Sequence, residues 1–278
     1  MPTVRALTPR DLTQTLALAG RHPVENVAVL AKIRASGLES AILGHDILGA
    51  FDHRGRMTGV LSHSAALQPV EATPESVHAF ARYLGGLRRV GSVVGPRDAA
   101  LDLWGELSRR FPGVWGTPRE VRGDQPLLKI DHDPAVVGDP RVTAIDPRQA
   151  DAYYEAACAM YREEIGLDPN EATGGYRRHV EGILSRREGF GLWDGRRVLF
   201  KADVSVASGD VCQLGGLWLH PEWRGQGLSE GFAAQVVRLC RRRWPVVSLY
   251  VNDYNRSALA LYRRLGFVEA ARFATVLW

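Results

Sequence analysis

The chain has 278 residues and a mass of 30.6 kDa, which suits two domains of ordinary size or one large one. Hydrophobic residues make up 45% and charged residues 24%, a balance that excludes a disordered, collagen-like or coiled-coil chain. The net charge of +4 is spread along the sequence and is carried almost wholly by arginine, the lysines being Lys32, Lys129 and Lys201; it gives no reason to expect a nucleic-acid partner.

The opening residues Met1 to Thr8 lack the apolar stretch of a signal peptide, and no run approaches 18 apolar residues, so a cytoplasmic protein without a membrane partner is expected. The cysteines, Cys158, Cys212 and Cys240, form no CxxC and have no histidine at ligand spacing. Neither a disulfide framework nor a metal site is expected.

In chain order, residues 75–84 read as a helix, 90–94 as an apolar strand and 97–107 as a second helix. A short apolar run at 127–130 reads as a strand. It leads into a segment rich in Asp, Gly and Pro, which places a domain boundary near 135–141 and divides the chain into modules 1–135 and 136–278. The second module starts with a strand at 142–145. A helix over 148–165 follows, with Tyr154, Cys158, Tyr161 and Ile165 on one face, and then a loop at 166–175 and a helix at 176–186. Strands at 190–193, 198–206 and 211–219 form a meander with turns at Asp194-Gly195 and Ser208-Gly209-Asp210. A helix at 229–244, a strand at 246–251, a helix at 256–265 ended by Gly266 and a strand at 273–278 complete the module.

The first module repeats that tail. Residues 97–107 set against 255–265 match at Ala100/Ala258, Leu101/Leu259, Leu103/Leu261 and Leu107/Leu265, each helix being preceded by a strand and another helix. The order of elements predicts an internal duplication with one diverged copy.

The segment Leu217-Trp218-Leu219-His220-Pro221-Glu222-Trp223-Arg224-Gly225-Gln226-Gly227-Leu228-Ser229 is a strand entering a glycine-bearing turn that opens a helix. Glycines permit a tight turn and close approach of a ligand, and the first N–H groups of the helix lack internal partners, so the loop suits a pyrophosphate as well as a plain connection. It is neither a Walker loop nor a dinucleotide GxGxxG.

This pattern resembles the GNAT superfamily of acyl-CoA-dependent N-acyltransferases. The family's Arg/Gln-x-x-Gly-x-Gly/Ala is met by Arg224, Gly227 and, with a departure, Ser229; its asparagine, tyrosine and Gly-Phe are met by Asn255, Tyr262, Gly266 and Phe267. The resemblance covers 141–278, and the two-module layout is similar to bacterial GNAT proteins with an N-terminal domain of unknown function. It implies an α/β (α+β) fold of tandem GNAT-like modules. Each is a mixed, mostly antiparallel twisted sheet flanked by helices, and the N-terminal copy is degenerate.

The resemblance also implies acetyl-CoA or CoA as cosubstrate, an amine acceptor of small-molecule or protein type, and transfer of acetyl to a primary amine by direct attack. The backbone of Leu217, Trp218 and Leu219 would hold the pantetheine arm, with Gly215-Gly216 at a bulge aiming an N–H at the thioester. Arg224, Gly225, Gln226, Gly227, Leu228, Ser229 and Glu230 would hold the pyrophosphate, although the charge of Glu230 opposes a phosphate. Asn255 is either a helix cap or a coenzyme ligand, and Tyr262 either a core residue or the acid that protonates the departing thiolate.

The general base is open: Tyr250 stands where many family members have glutamate, and Glu163, Glu164, Asp168, Glu171, Asp203 and His220 are the other titratable groups in the module weighed for it. A protein that binds or senses acyl-CoA without transferring is therefore the alternative. In the first module the corresponding loop, 70–76, has no glycine and carries Glu71 and Glu75, while Arg97 and Trp104 replace Asn255 and Tyr262. The arginines at 238 and 241–243 read as a solvated helix end.

Overall fold

A computed structural model describes residues 2–171 and 175–278. The chain forms two compact units: Met1–Leu128 with Tyr250–Arg256 and Glu269–Trp278, and Lys129–Leu249 with Ser257–Val268. These units are not colinear with modules 1–135 and 136–278.

The first repeat runs β1 (Thr3–Ala6), α1 (Leu12–Ala19), α2 (Val27–Ser36), a single turn α3 (Ser40–Leu43), β2 (Asp46–Phe51), β3 (Met57–His63) and β4 (Ala66–Val70). It continues through α4 (Pro74–Leu84), β5 (Ser92–Pro96), α5 (Arg97–Arg110), α6 (Pro112–Trp115) and β6 (Glu120–Ile130). The second repeat has the same order without the two short turns: β7 (Thr143–Ala144), α7 (Ala150–Ile165), α8 (Gly175–Ser185), β8 (Gly189–Trp193), β9 (Val198–Ser208), β10 (Val211–Leu219), α9 (Leu228–Arg241), β11 (Val246–Tyr250), α10 (Arg256–Leu265) and β12 (Val268–Leu277). The duplication inferred from a few leucines and alanines therefore extends over the whole chain.

Sheet pairing repeats as well. β1 through β4 pair antiparallel in sequence, and β4 meets β5 in parallel at Ala66↔Ser92 and Leu67↔Val93. In the second unit β7 through β10 pair antiparallel and β10 meets β11 in parallel. A parallel pair cannot be closed by a hairpin, so α4 and α9 are the obligatory crossovers.

The last strand does not stay with the rest of the second repeat. β12 is in the first unit's sheet, antiparallel to β5 from Phe273↔Pro96 to Leu277↔Ser92, with β6 as its other neighbour. There the Thr275 hydroxyl donates to Gln125 Oε1 at 2.6 Å, and the Arg119 N–H donates to the Leu277 carbonyl. Its inward residues Ala274 and Val276 are fully buried among Leu48, Phe80, Leu103 and Trp115, and Trp115 meets Trp278 edge-on at 5.5 Å. Residues 273–277 are an apolar run broken only by Thr275, with Phe273 to Val276 all buried, as in a strand covered on both faces, but such a run does not say which sheet receives it.

The linker is fastened rather than loose. Arg238 donates to Asp133 and to the carbonyls of Pro134 and Val136, and Arg241 to Asp133 and the Pro245 carbonyl. These two arginines, expected at a solvated helix end, clamp the linker to α9. Among the described residues no helix is long and apolar enough to cross a membrane.

Placing a charge at Val276 should be costly because the site is closed on all sides. Val276→Asp is expected to lower stability by about 3 kcal/mol or more, while Val268→Asp at the exposed start of β12 changes it by less than about 0.5 kcal/mol. Urea denaturation followed by tryptophan fluorescence distinguishes the two.

Candidate functional site

The site begins where β10 leaves its neighbours. Its pairing with β11 runs from Val211↔Val246 to Gln213↔Ser248, and both strands continue beyond it. On its other edge the ladder with β9 is irregular: Gly215 lies opposite Asp203 and Trp218 opposite Lys201, so three steps on β10 face two on β9. That extra residue is the bulge expected at Gly215-Gly216. Gly216 has φ of 58°, and a Cβ there would come within 2.6 Å of Asp203 Oδ2 and 2.7 Å of Lys201 Nζ. Only glycine fits.

Past the bulge, Leu217 and Leu219 are half-buried, and Trp218 belongs to the buried apolar cluster that includes Ala156 and Tyr153 of α7. The chain then passes a short 3₁₀ turn at Pro221–Trp223 and enters α9 with Gly227 as N-cap at φ of 74°, a left-handed conformation that side chains resist. With no capping side chain there, the first amides of α9, beginning at Leu228, Ser229 and Glu230, have no partner within the helix. The Gln226 side chain turns back to the Glu222 carbonyl. Glu230 pairs with Arg264 at 3.1 Å, so its charge is compensated rather than directed at the loop.

Arg224 folds back over its own turn, donating to the Leu219 carbonyl at 2.9 Å and to Glu163 at 2.6 Å; the other Glu163 oxygen accepts the Trp218 indole N–H. Beside this contact a cleft of about 320 Å³ is lined by Ala156, Ala159, Glu163, Val198, Trp218 and His220, among others.

Tyr262 lies on the buried face of α10, 7% exposed, with its ring edge-on to Phe267 at 5.6 Å. Burial, and secondly the charge of Glu164, pushes its pKa well above the ordinary phenol value.

Residues 189–267 match the acetyltransferase (GNAT) family, and residues 46–153 match a domain of unknown function, DUF4081. Solved structures share the fold along nearly the whole chain. A GNAT-family acetyltransferase from Colwellia psychrerythraea is 14% identical with a TM-score of 0.59, covering 99% of each chain. A GCN5-related N-acetyltransferase from Sphaerobacter thermophilus is 17% identical with a TM-score of 0.61, covering 99% of this chain and 94% of its own. A tandem GNAT protein from the clavulanic acid biosynthesis pathway is 16% identical with a TM-score of 0.57, covering 99% and 98%. No curated protein sequence matches the chain.

The chain carries an acetyltransferase (GNAT) domain at residues 189–267, preceded by the DUF4081 match. Its C-terminal repeat carries the acetyltransferase domain, so it is an N-acetyltransferase-type enzyme, with the acyl-CoA-dependent N-acyl transfer general to the family.

Within this GNAT unit most of the candidate bases are already engaged. Glu163 holds Arg224 and Trp218; Asp168 is bonded by Arg162 and Asn170; Asp203 accepts from Lys201 and Tyr153. His220 is placed between the Glu222 amide and Arg197. The side chain of Glu171 lies outside the described residues. Glu164 is exposed near the end of α7, and its charge acts on both Tyr262 and Tyr176. Asn255 precedes α10 within the 250–256 segment of the first unit, exposed, its N–H on the Asn252 carbonyl.

The first repeat closes the corresponding features with its own groups. The Thr73 hydroxyl caps α4 at the Ser76 N–H, Pro74 removes one amide, and Glu71 is bonded by His22 and Asn26. Trp104, the counterpart of Tyr262, donates to the Trp115 carbonyl.

The raised pKa of Tyr262 has a definite sign in stability. The folded chain retains this proton where the unfolded chain releases it near pH 10, so its contribution is complete below that pH and is lost above it. Relative to Tyr262→Phe, the wild type should lose up to roughly 1.4 kcal/mol per pH unit above about pH 10. Urea denaturation of both proteins at a series of pH values measures this.

Proposed function

We infer that this enzyme transfers an acetyl or other short acyl group from acyl-CoA, acetyl-CoA in the simplest case, to a primary amine by direct attack on the thioester. The observation that carries the reading is the bulge of β10 at Gly215-Gly216 followed by the start of α9 at Gly227, which no side chain caps, so that strand backbone and helix amides are offered together. In this reading the open edge of β10 at Leu217 to Leu219 takes the pantetheine arm, and the amides from Gly225 to Glu230 take the pyrophosphate, with Arg224 supplying a cation. The acceptor is an amine of unspecified size. A free lysine-like amine has a pKa near 10.4 and must lose its proton before or during attack. Glu164 is the carboxylate whose charge reaches Tyr262.

Direct attack is supported by the state of the cysteines. All three are buried, and Cys240 is held above the usual thiol value by its hydrogen bond to Cys212 and by burial. An acyl-cysteine intermediate would need an accessible thiolate.

Tyr262 would act by donating a hydrogen bond to the departing sulfur. Its pKa is well above the value near 8.5 of a thiol, so complete proton transfer to the thiolate is uphill. Tyr262→Phe is therefore expected to leave acetyl-CoA affinity unchanged and to lower turnover by about 10², the lower end of the range for general acids. Equal rates, with an identified amine at saturation and chemistry rate-limiting, would reduce Tyr262 to packing.

Binding of acyl-CoA without transfer is the second reading, supported by the engagement of Glu163, Asp168 and Asp203 and by Tyr250 in place of a glutamate. Turnover of acetyl-CoA with a panel of amines separates the two. Both require that calorimetry show acetyl-CoA binding to the full-length protein at low salt, and that Gly227→Asp, which adds a Cβ at positive φ and a negative charge, remove it. A wild type that binds no acetyl-CoA refutes both.

A further inference from the structure

Lys201 is a fully buried lysine on β9, and nothing in the proposed chemistry uses it. Side chains alternate along β9: Phe200 faces α9, where it meets Phe232 at 5.2 Å, and Lys201 faces α7, where Nζ lies 3.6 Å from Met160 Sδ. Asp203, two residues on, faces the same way. The pair is closed at 2.7 Å, and the Tyr153 hydroxyl donates to the other Asp203 oxygen and to the Ala202 carbonyl.

A buried ion pair is weak ground for stability, because desolvation offsets most of the attraction. What this pair does geometrically is specific. Lys201 Nζ donates to the Gly216 carbonyl at 3.0 Å, drawing that oxygen out of the ladder at the bulge. Among the described residues there is no cis peptide, and in a trans peptide the C=O and N–H point in opposite directions. With the Gly216 oxygen held towards α7, the Leu217 N–H of the same peptide is turned away from Lys201. A charged donor on the oxygen also polarises the peptide and makes its N–H a better donor.

We propose that Lys201, held by Asp203 and Tyr153, is a positioning residue that fixes and polarises the Gly216–Leu217 peptide so that the Leu217 N–H binds the thioester carbonyl of acyl-CoA as negative charge develops on it. This rests on the reading of β10 as the acyl-CoA edge. It assigns a task to a pair that is not on the ligand itself, and it accounts for glycine at 216, where a Cβ would meet both Asp203 and Lys201.

The test uses full-length protein and acetyl-CoA carrying ¹³C at the carbonyl, read by isotope-edited infrared spectroscopy, with CoA affinity by calorimetry and acetyl-CoA hydrolysis without acceptor as a rate. Lys201→Met with Asp203→Asn removes both charges together, so no lone buried charge remains. Lys201→Gln is a milder variant that keeps a neutral donor. In the wild type the bound carbonyl stretch should lie below that of free acetyl-CoA. The double variant should bind CoA as before, return the stretch to the free value and lower the rate by about tenfold to a hundredfold, less than the loss of a whole oxyanion donor. Lys201→Gln should fall between, and it decides the matter should the double variant not fold. An unshifted carbonyl in the wild type, or the same shift in the wild type and the folded variant, overturns the role of Lys201 alone. A wild type that binds no acetyl-CoA overturns the site reading and this role with it.

Discussion

The constraint on which the site depends is that β10 and β11 run parallel. Parallel strands require a crossover, and α9 supplies it by returning from the end of one to the start of the other. Its N-terminus is thereby fixed at the end of β10, so free amides and strand edge become one continuous surface. The pairing reaches only Gln213↔Ser248, which leaves the later backbone of β10 without β11 as its partner. A ligand with a long flexible arm and a charged end matches that surface in both respects.

The two repeats show how little separates a site from a scaffold. Both have the parallel pair, the crossover helix and the helix that follows. In the second, Gly227 leaves the helix end without a side-chain cap; in the first, Thr73 and Pro74 finish the helix, and Trp104, which stands in the place of Tyr262, donates to a carbonyl. Unsatisfied groups cost stability, and the protein concentrates that cost where a ligand can satisfy them. Charge follows the same logic. Glu230 is compensated by Arg264 near the loop, whereas in the first repeat Glu71 is held by His22 and Asn26.

The chain also distributes its strands against sequence order. β12 completes the sheet that begins with the first repeat, and its apolar residues are part of that core. A repeat that gives up its last strand in this way is not an independent folding unit in the sequence sense. Stability of the first unit is consequently tied to the far end of the chain.

Much of this was legible from residues alone. Alternation and helical spacing gave the elements from 142 onward, the glycine pattern marked the loop at 224–229, and the matching order of elements gave the duplication, because local periodicity and turn chemistry are properties of neighbouring residues. Other features depend on residues far apart in sequence and were decided by the tertiary structure. The apolar run in β12 is the same whichever sheet it joins, so only packing placed it beside β5. Glu163, Asp168, Asp203 and His220 looked alike as titratable groups until Arg224, Arg162, Lys201 and Arg197 were found on them. Lys201 itself had no signal beyond a charged residue within an apolar strand. Its meaning came from a bulge one strand away, where a carbonyl turned by a glycine at positive φ meets a buried ammonium.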